Sequence, residues 1–146
     1  MRSKLINDGP QRTYAVVMDT GDEAIAKLQA FAAEQRLHAS QFTGIGAFSR
    51  AVFGFYDLQK KEYKRIPVEE QVEVVSLLGD ITLSDGKPKL HPHVVVAKAD
   101  GSAHGGHLLE AIVRPTLEVI ITESPAHLRR TFNKEAGLPL IDLEGK

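Results

Sequence analysis

The feature that most restricts this chain is an imbalance between strand-like and helical stretches. Short runs rich in β-branched and aromatic residues recur along it, separated by turn signals. A helical repeat occurs once. Residues 13–18 (TYAVVM) read as a strand. Residues 21–36 read as the helix, with Ile25, Leu28 and Ala32 on one stripe. Thr20 and Glu23 have capping-box spacing at its start. Strands are then expected at 40–43, 49–56, 62–67, 72–83, 90–98 and 117–122, with a short helix at 126–133. The segment 72–83 (VEVVSLLGDITL) is apolar on both faces as far as Leu78, as a central strand covered on both sides would be. Residues 62–67 read as a polar edge strand, turned through 59–61. The tail 138–146 is weakly patterned, free to pair with the body or drape over it.

This succession predicts an α+β fold, with a mainly antiparallel (mixed) β-sheet packed against one principal helix. Residues 1–12 are polar, carry an Asp8-Gly9-Pro10 turn signal and read as a flexible N-terminal arm. Residues 13–146 read as a single domain. One helix cannot hide all the apolar strand faces, so the surplus Val, Ile, Leu and Phe points to self-association.

Composition narrows the function. Lys plus Arg number 18 against 19 Asp plus Glu, a net charge of -1. Such a balance does not suit a surface that grips a phosphate backbone all over. The absence of Cys excludes disulfides, thiolate metal sites and a Cys nucleophile. No apolar run reaches bilayer-spanning length and nothing at the N-terminus marks export, so no membrane association and a cytoplasmic location are expected.

Four of the six histidines fall between positions 91 and 107. His91 and His93 are two apart on an expected strand, so they share a face, with Cβ atoms roughly 6–7 Å apart. Two imidazoles so placed can share one metal ion. His107 follows Gly105-Gly106, a pair that lets backbones approach closely. Three His ligands leave a fourth position for water or substrate, which is the catalytic rather than the structural pattern. An H-x-H pair on a strand is equally ordinary surface or core decoration. His104 is an extra imidazole, a fourth ligand or acid/base group on one reading and a solvated loop residue on the other. Glu118 stands among Leu117, Val119, Ile120 and Ile121. It is either an edge charge, or a carboxylate that orients a ligand His or acts as acid/base. His38 and His127 are given no role.

Other motifs are weaker. Gly44-Ile45-Gly46 lacks the helix that a dinucleotide loop needs and reads as a tight turn or bulge. Lys60, Lys61, Lys64 and Arg65 form a small basic patch with Tyr63, either a nucleic-acid contact or a solvated hairpin, and Arg129-Arg130 is a second thin basic signal.

Four blocks together resemble a known family. They are Gly44-Ile45-Gly46-Ala47-Phe48-Ser49 with Phe55-Tyr56-Asp57, then residues 72–79 (VEVVSLLG). The third runs from His91-Pro92-His93-Val94 through Asp100-Gly101 to Gly105-Gly106-His107-Leu108, and the fourth is residues 117–121 (LEVII). In this order they look like the PPC (plants and prokaryotes conserved) domain, the PD1-like DNA-binding proteins, over roughly residues 12–125. The resemblance implies an α/β or α+β fold around an antiparallel sheet, a homotrimer, and a divalent metal, usually zinc, on His91, His93 and His107. It implies a DNA-binding or regulatory module. The alternative is a metal-dependent enzyme or small-molecule-binding protein that uses the open three-His site. The AT-hook that plant members carry is absent, so this is the stand-alone type, and any DNA contact is expected to be weak. Pro92 departs from an unbroken strand by removing a ladder donor, which places that stretch at an edge or a bulge.

Overall fold

A computed structural model of the chain describes residues 1–144, which form nine strands and one helix. In chain order they are β1 (Arg2–Asn7), β2 (Thr13–Asp19), α1 (Ala24–Glu34), β3 (Ala39–Asp57), β4 (Glu62–Val68), β5 (Val72–Ser84), β6 (Lys87–Ala97), β7 (Ala103–Glu123), β8 (Arg129–Asn133) and β9 (Leu138–Asp142). All nine belong to one sheet, antiparallel except for a parallel bridge between β5 and β8. The expected α+β class is therefore what forms, a mostly mixed sheet with one helix.

The long strands β3 and β7 pair along most of their length and make a twisted ribbon. The first half of β3 also pairs with β5, and its second half with β4. The far end of β7 pairs with β2, and its near end with β6. Because β6 also pairs with β5, the ladder closes into a ring of β3, β5, β6 and β7. Cα partners followed from Ile120 of β7 pass through Thr43, Leu78 and His93 and return to β7 at His107. Closing a sheet removes the unpaired edges that invite aggregation.

Helix α1 packs on β6 and β7 and buries Ala24, Leu28, Phe31 and Ala32. Phe31 meets Tyr14 of β2 edge-on at 5.3 Å between ring centroids. The core continues through Phe42, Phe48, Phe53, Leu77, Leu108 and Leu117, all 1% exposed or less. Each such side chain contributes roughly 1.5–3 kcal/mol by leaving water.

Several expectations are corrected. The helix begins at Ala24, not residue 21, because residues 19–22 turn back on β7: Gly21 N–H donates to Val113 O, and Val113 N–H to Asp22 O. Thr20 does not cap; its hydroxyl donates to Pro115 O. Glu23 caps in its place, accepting from Ala26 N–H at 2.6 Å and, through its other oxygen, from Ala111 N–H at 2.9 Å. The N-terminal stretch read as an arm contains β1, which pairs with β2. The expected helix at 126–133 is instead β8, which forms a hairpin with β9 across a turn where Gly137 adopts φ +72°. Strand β7 begins at Ala103, so His104 lies in a strand and not in a loop. Gly44-Ile45-Gly46 is a bulge, one of the two forms expected, but the strands expected at 40–43 and 49–56 run through it as the continuous β3. Strand β5 is central as expected, but within one chain its second face is open: Val75 is 57% and Leu78 52% exposed.

Two glycines permit the ring to close at β7. A Cβ on Gly105 would lie 2.3 Å from Val94 O of β6, and one on Gly106 2.8 Å from Gly54 O of β3. Among the described residues no helix is long and apolar enough to cross a membrane. The variant Gly105→Ala is expected to force β6 and β7 apart and to lower unfolding free energy by about 3 kcal/mol, read from urea denaturation.

Candidate metal centre

Strand periodicity and the closed ladder together assemble a cluster of imidazoles. Alternation along β6 buries Leu90, Pro92, Val94 and Val96 and turns Lys89, His91, His93 and Val95 outward. Pairing of β6 with β7 starts at His93, whose Cα partner is His107. Residues of β6 before His93 pair with β5 alone, so Pro92 stands where the β7 side of the strand is still open. The glycine pair before His107 brings its backbone against β6 and β3.

The three side chains meet. His91, His93 and His107 each present a ligand nitrogen within 4.8 Å of the other two. The Nε2 atoms of His91 and His93 are 3.2 Å apart. Ring centroids lie 5.0 Å apart for His91 and His93, 5.4 Å for His93 and His107, and 5.5 Å for His91 and His107. Zinc sites hold imidazole nitrogens at about 2.0–2.1 Å from the ion, so nitrogens on one ion are a few ångströms apart. The donor set fits a divalent ion of borderline softness. A second observation supports the fit: Nδ1 of His107 is buried without a hydrogen-bond partner. Such an orphaned nitrogen costs free energy unless something engages the ring.

Burial first, then the neighbouring His91, His93 and Lys89, push the His107 imidazole down to about 4. Burial and His91 likewise lower His93. Burial thus disfavours a proton on His93 and His107, and metal ligation requires the neutral ring.

Sequence reasoning missed two residues that brace the cluster. Asp80 of β5 is the Cα partner of His91 and places Oδ2 3.4 Å from His91 Nδ1. Arg130 of β8 donates to Asp80 Oδ1 at 2.6 Å and to Thr82 Oγ1 at 2.8 Å, and its Nη2 lies 3.2 Å from His91 Nδ1. Burial raises the Asp80 carboxyl, but hydrogen bonds from His91 and Arg130 outweigh it and hold the group below the ordinary range. In the tautomer whose Nδ1–H turns to Asp80, the Nε2 lone pair is left for the cluster. A carboxylate behind an imidazole is the usual way to fix a ligand's tautomer. Tyr63 of β4 lies against the His107 ring at 4.9 Å between centroids. A cleft of about 400 Å³ opens beside His91 and His107, walled by Ile25, Leu109, Leu138 and Leu140.

The remaining candidates lie elsewhere. Glu118 is exposed and lines a different groove with Ile45 and Val75, while the carboxylate that contacts His91 is that of Asp80. His104 is exposed, opposite Val96, and 3.5 Å from Ser102 Oγ. Of the basic hairpin, Arg65 pairs with Glu110 and Lys61 Nζ donates to Lys134 O. His38 and His127 form a hydrogen-bonded pair with Nδ1 atoms 3.0 Å apart.

The sequence profile of the Plants and Prokaryotes Conserved (PCC) domain matches residues 6–125. Among curated proteins, the bifunctional protein GlmU of Synechococcus sp. (strain JA-3-3Ab) is 29% identical over 125 residues, which are 84% of this chain and 19% of that protein. The chain thus spans about a fifth of the length of the curated relatives it matches. Among solved structures, a "putative DNA binding protein" of Bacteroides thetaiotaomicron is 28% identical with a TM-score of 0.88, over 98% of this chain and 99% of that one. A plant- and prokaryote-conserved (PPC) protein of Pyrococcus horikoshii is 31% identical with a TM-score of 0.85, over 92% and 94%. A protein of Archaeoglobus fulgidus described as metal-containing is 33% identical with a TM-score of 0.82, over 96% of each chain.

The depressed His107 sets an acid limit on the metal-free fold. An unfolded His takes a proton near 6.5, while His107 in the fold resists it down to about 4. The unfolded chain therefore binds more protons across that window, and stability falls as pH drops through it. Denaturant midpoints measured at stepped pH are expected to decline from about pH 6.5 toward 4, and His107→Gln to flatten part of that slope.

Proposed function

The chain belongs to the Plants and Prokaryotes Conserved domain family, and from that premise we propose that it is a homotrimeric metal-binding protein. His91, His93 and His107 bind one divalent ion, zinc by preference. The observation that carries this reading is the convergence of three imidazoles braced by Asp80 and Arg130. The likeness to a metal-containing protein supports it. The ion keeps an open position that would polarise or hold a small ligand. Residues of this chain would hold and orient the ligand nitrogens: Asp80 fixes His91, and the bulk of Tyr63 shelters His107.

Self-association is supported by the outer face of the ring. Ile45, Val75, Leu78, Val95 and Ile120 stand on adjacent strands and are 43–61% exposed. An apolar patch spanning neighbouring strands is the kind of surface that oligomers bury. Leu78 is the Cα partner of His93, so the patch runs up to the metal centre.

A second reading follows from the likeness to a structure described as a DNA-binding one. A trimer presents three β3–β4 hairpins carrying Lys60 and Lys64, whose duplex contacts would be weak and strongly salt-dependent.

Elemental analysis of protein prepared without chelator is expected to find one zinc per chain. His93→Ala should abolish that uptake and leave the assembly of three chains seen by light scattering. Asp80→Asn should weaken zinc about 10- to 100-fold. Zinc content unchanged in His93→Ala overturns the ligand assignment. For the second reading, anisotropy with a labelled duplex at about 50 mM salt should show binding that fades as salt rises; no change at micromolar protein removes it.

A further inference from the structure

We infer that the cleft beside the three histidines takes a small organic anion, a carboxylate with a short apolar tail. The inference deepens the metal reading and rests on it.

The charge around the cleft carries the anionic part. Its lining includes Lys89 and Arg130 and no acidic side chain. Asp80, which contacts two of the lining residues, is engaged by Arg130 and His91. Imidazole ligates a metal in its neutral form and so contributes no charge to offset a divalent ion. Ion and cleft together therefore hold a net positive charge, in a half-buried place where water screens it poorly. Lys89 is two residues before His91 on the same outward face of β6, so its Cβ is roughly 6–7 Å from that of His91. An anion with one oxygen on the ion would have the Lys89 ammonium within reach of the other. A charge-assisted contact of this kind is about twice as strong as a neutral one.

The walls carry the apolar part. Ile25 of α1, Leu109 of β7, and Leu138 and Leu140 of the C-terminal hairpin line the same cleft. The volume of about 400 Å³ is near the small end of ligand sites. It suits a compact metabolite. The hairpin that supplies Leu138 and Leu140 is also the element that supplies Arg130, whose side chain is 6% exposed. The same segment therefore braces the ligand His91 and closes the apolar wall.

The test uses the full chain. Zinc is first titrated into chelator-stripped protein, followed by calorimetry. Isovalerate, its neutral amide and acetate are then titrated into the zinc-loaded chain. Isovalerate is expected to bind at least about tenfold more tightly than the amide and about tenfold more tightly than acetate. Lys89→Gln should take up zinc as the parent does and lose about three- to tenfold of its isovalerate affinity. An amide that binds as well as the acid, or a Lys89→Gln chain with unchanged isovalerate affinity, overturns the anion assignment while leaving the metal reading intact. Acetate binding as tightly as isovalerate overturns the apolar tail. Failure to take up zinc overturns the metal reading itself, and this inference with it.

Discussion

Closure of the β-ladder between β6 and β7 is the constraint on which the rest of this structure depends. Without it β6 would be an edge strand, and His91 and His93 would lie on an open face. With it His93 faces His107 as a Cα partner, and a solvent-facing pair becomes a three-sided cluster. The closure needs backbones at separations that a Cβ would forbid, so Gly105 and Gly106 are structural requirements of the site as much as of the sheet.

The cluster is also held from outside the ring. Asp80 reaches His91 from the neighbouring strand, and Arg130 reaches Asp80 from a hairpin fifty residues further along. Arg130 is nearly buried, so Asp80 answers a charge that the fold could not otherwise tolerate. One carboxylate thus neutralises a buried guanidinium and orients an imidazole. The hairpin β8–β9 is tied to the body by this contact, by the single bridge between Leu83 and Arg129 and by backbone bonds at Leu128.

Much of this was legible in the sequence, for reasons that differ from element to element. The shared face of His91 and His93 follows from the period of a strand, and the single helix from its apolar stripe. The role of Gly105-Gly106 was readable because only close approach explains two adjacent glycines before a His. What was not legible depends on distant pairing. No local pattern links Asp80 to Arg130, or marks Glu118 as facing away from the cluster. The C-terminal stretch 126–133 has no strong propensity of its own and becomes a strand because 138–142 returns to pair with it. The helix start was misplaced because Thr20 and Gly21 bond to β7 across nearly a hundred residues. Of β7 only 117–122 reads as strand, because Gly105-Gly106 and Pro115 punctuate the rest, and pairing on both sides overrides them.

The origin of the ligands has a consequence for the order of events during folding. All three histidines lie on one hairpin, β6–β7, within residues 91–107, whereas the β3–β7 ladder joins residues up to 83 apart, as Ser40 with Glu123. Loop-closure entropy grows with the length of chain enclosed, so the hairpin is the cheaper structure to form and the ribbon the slower one. The ligand set can therefore come together while β3 is still unpaired. An ion bound at that stage would pin the β6–β7 register before the ring has closed, a cofactor acting first as a nucleus for the fold and only afterwards as its chemical centre.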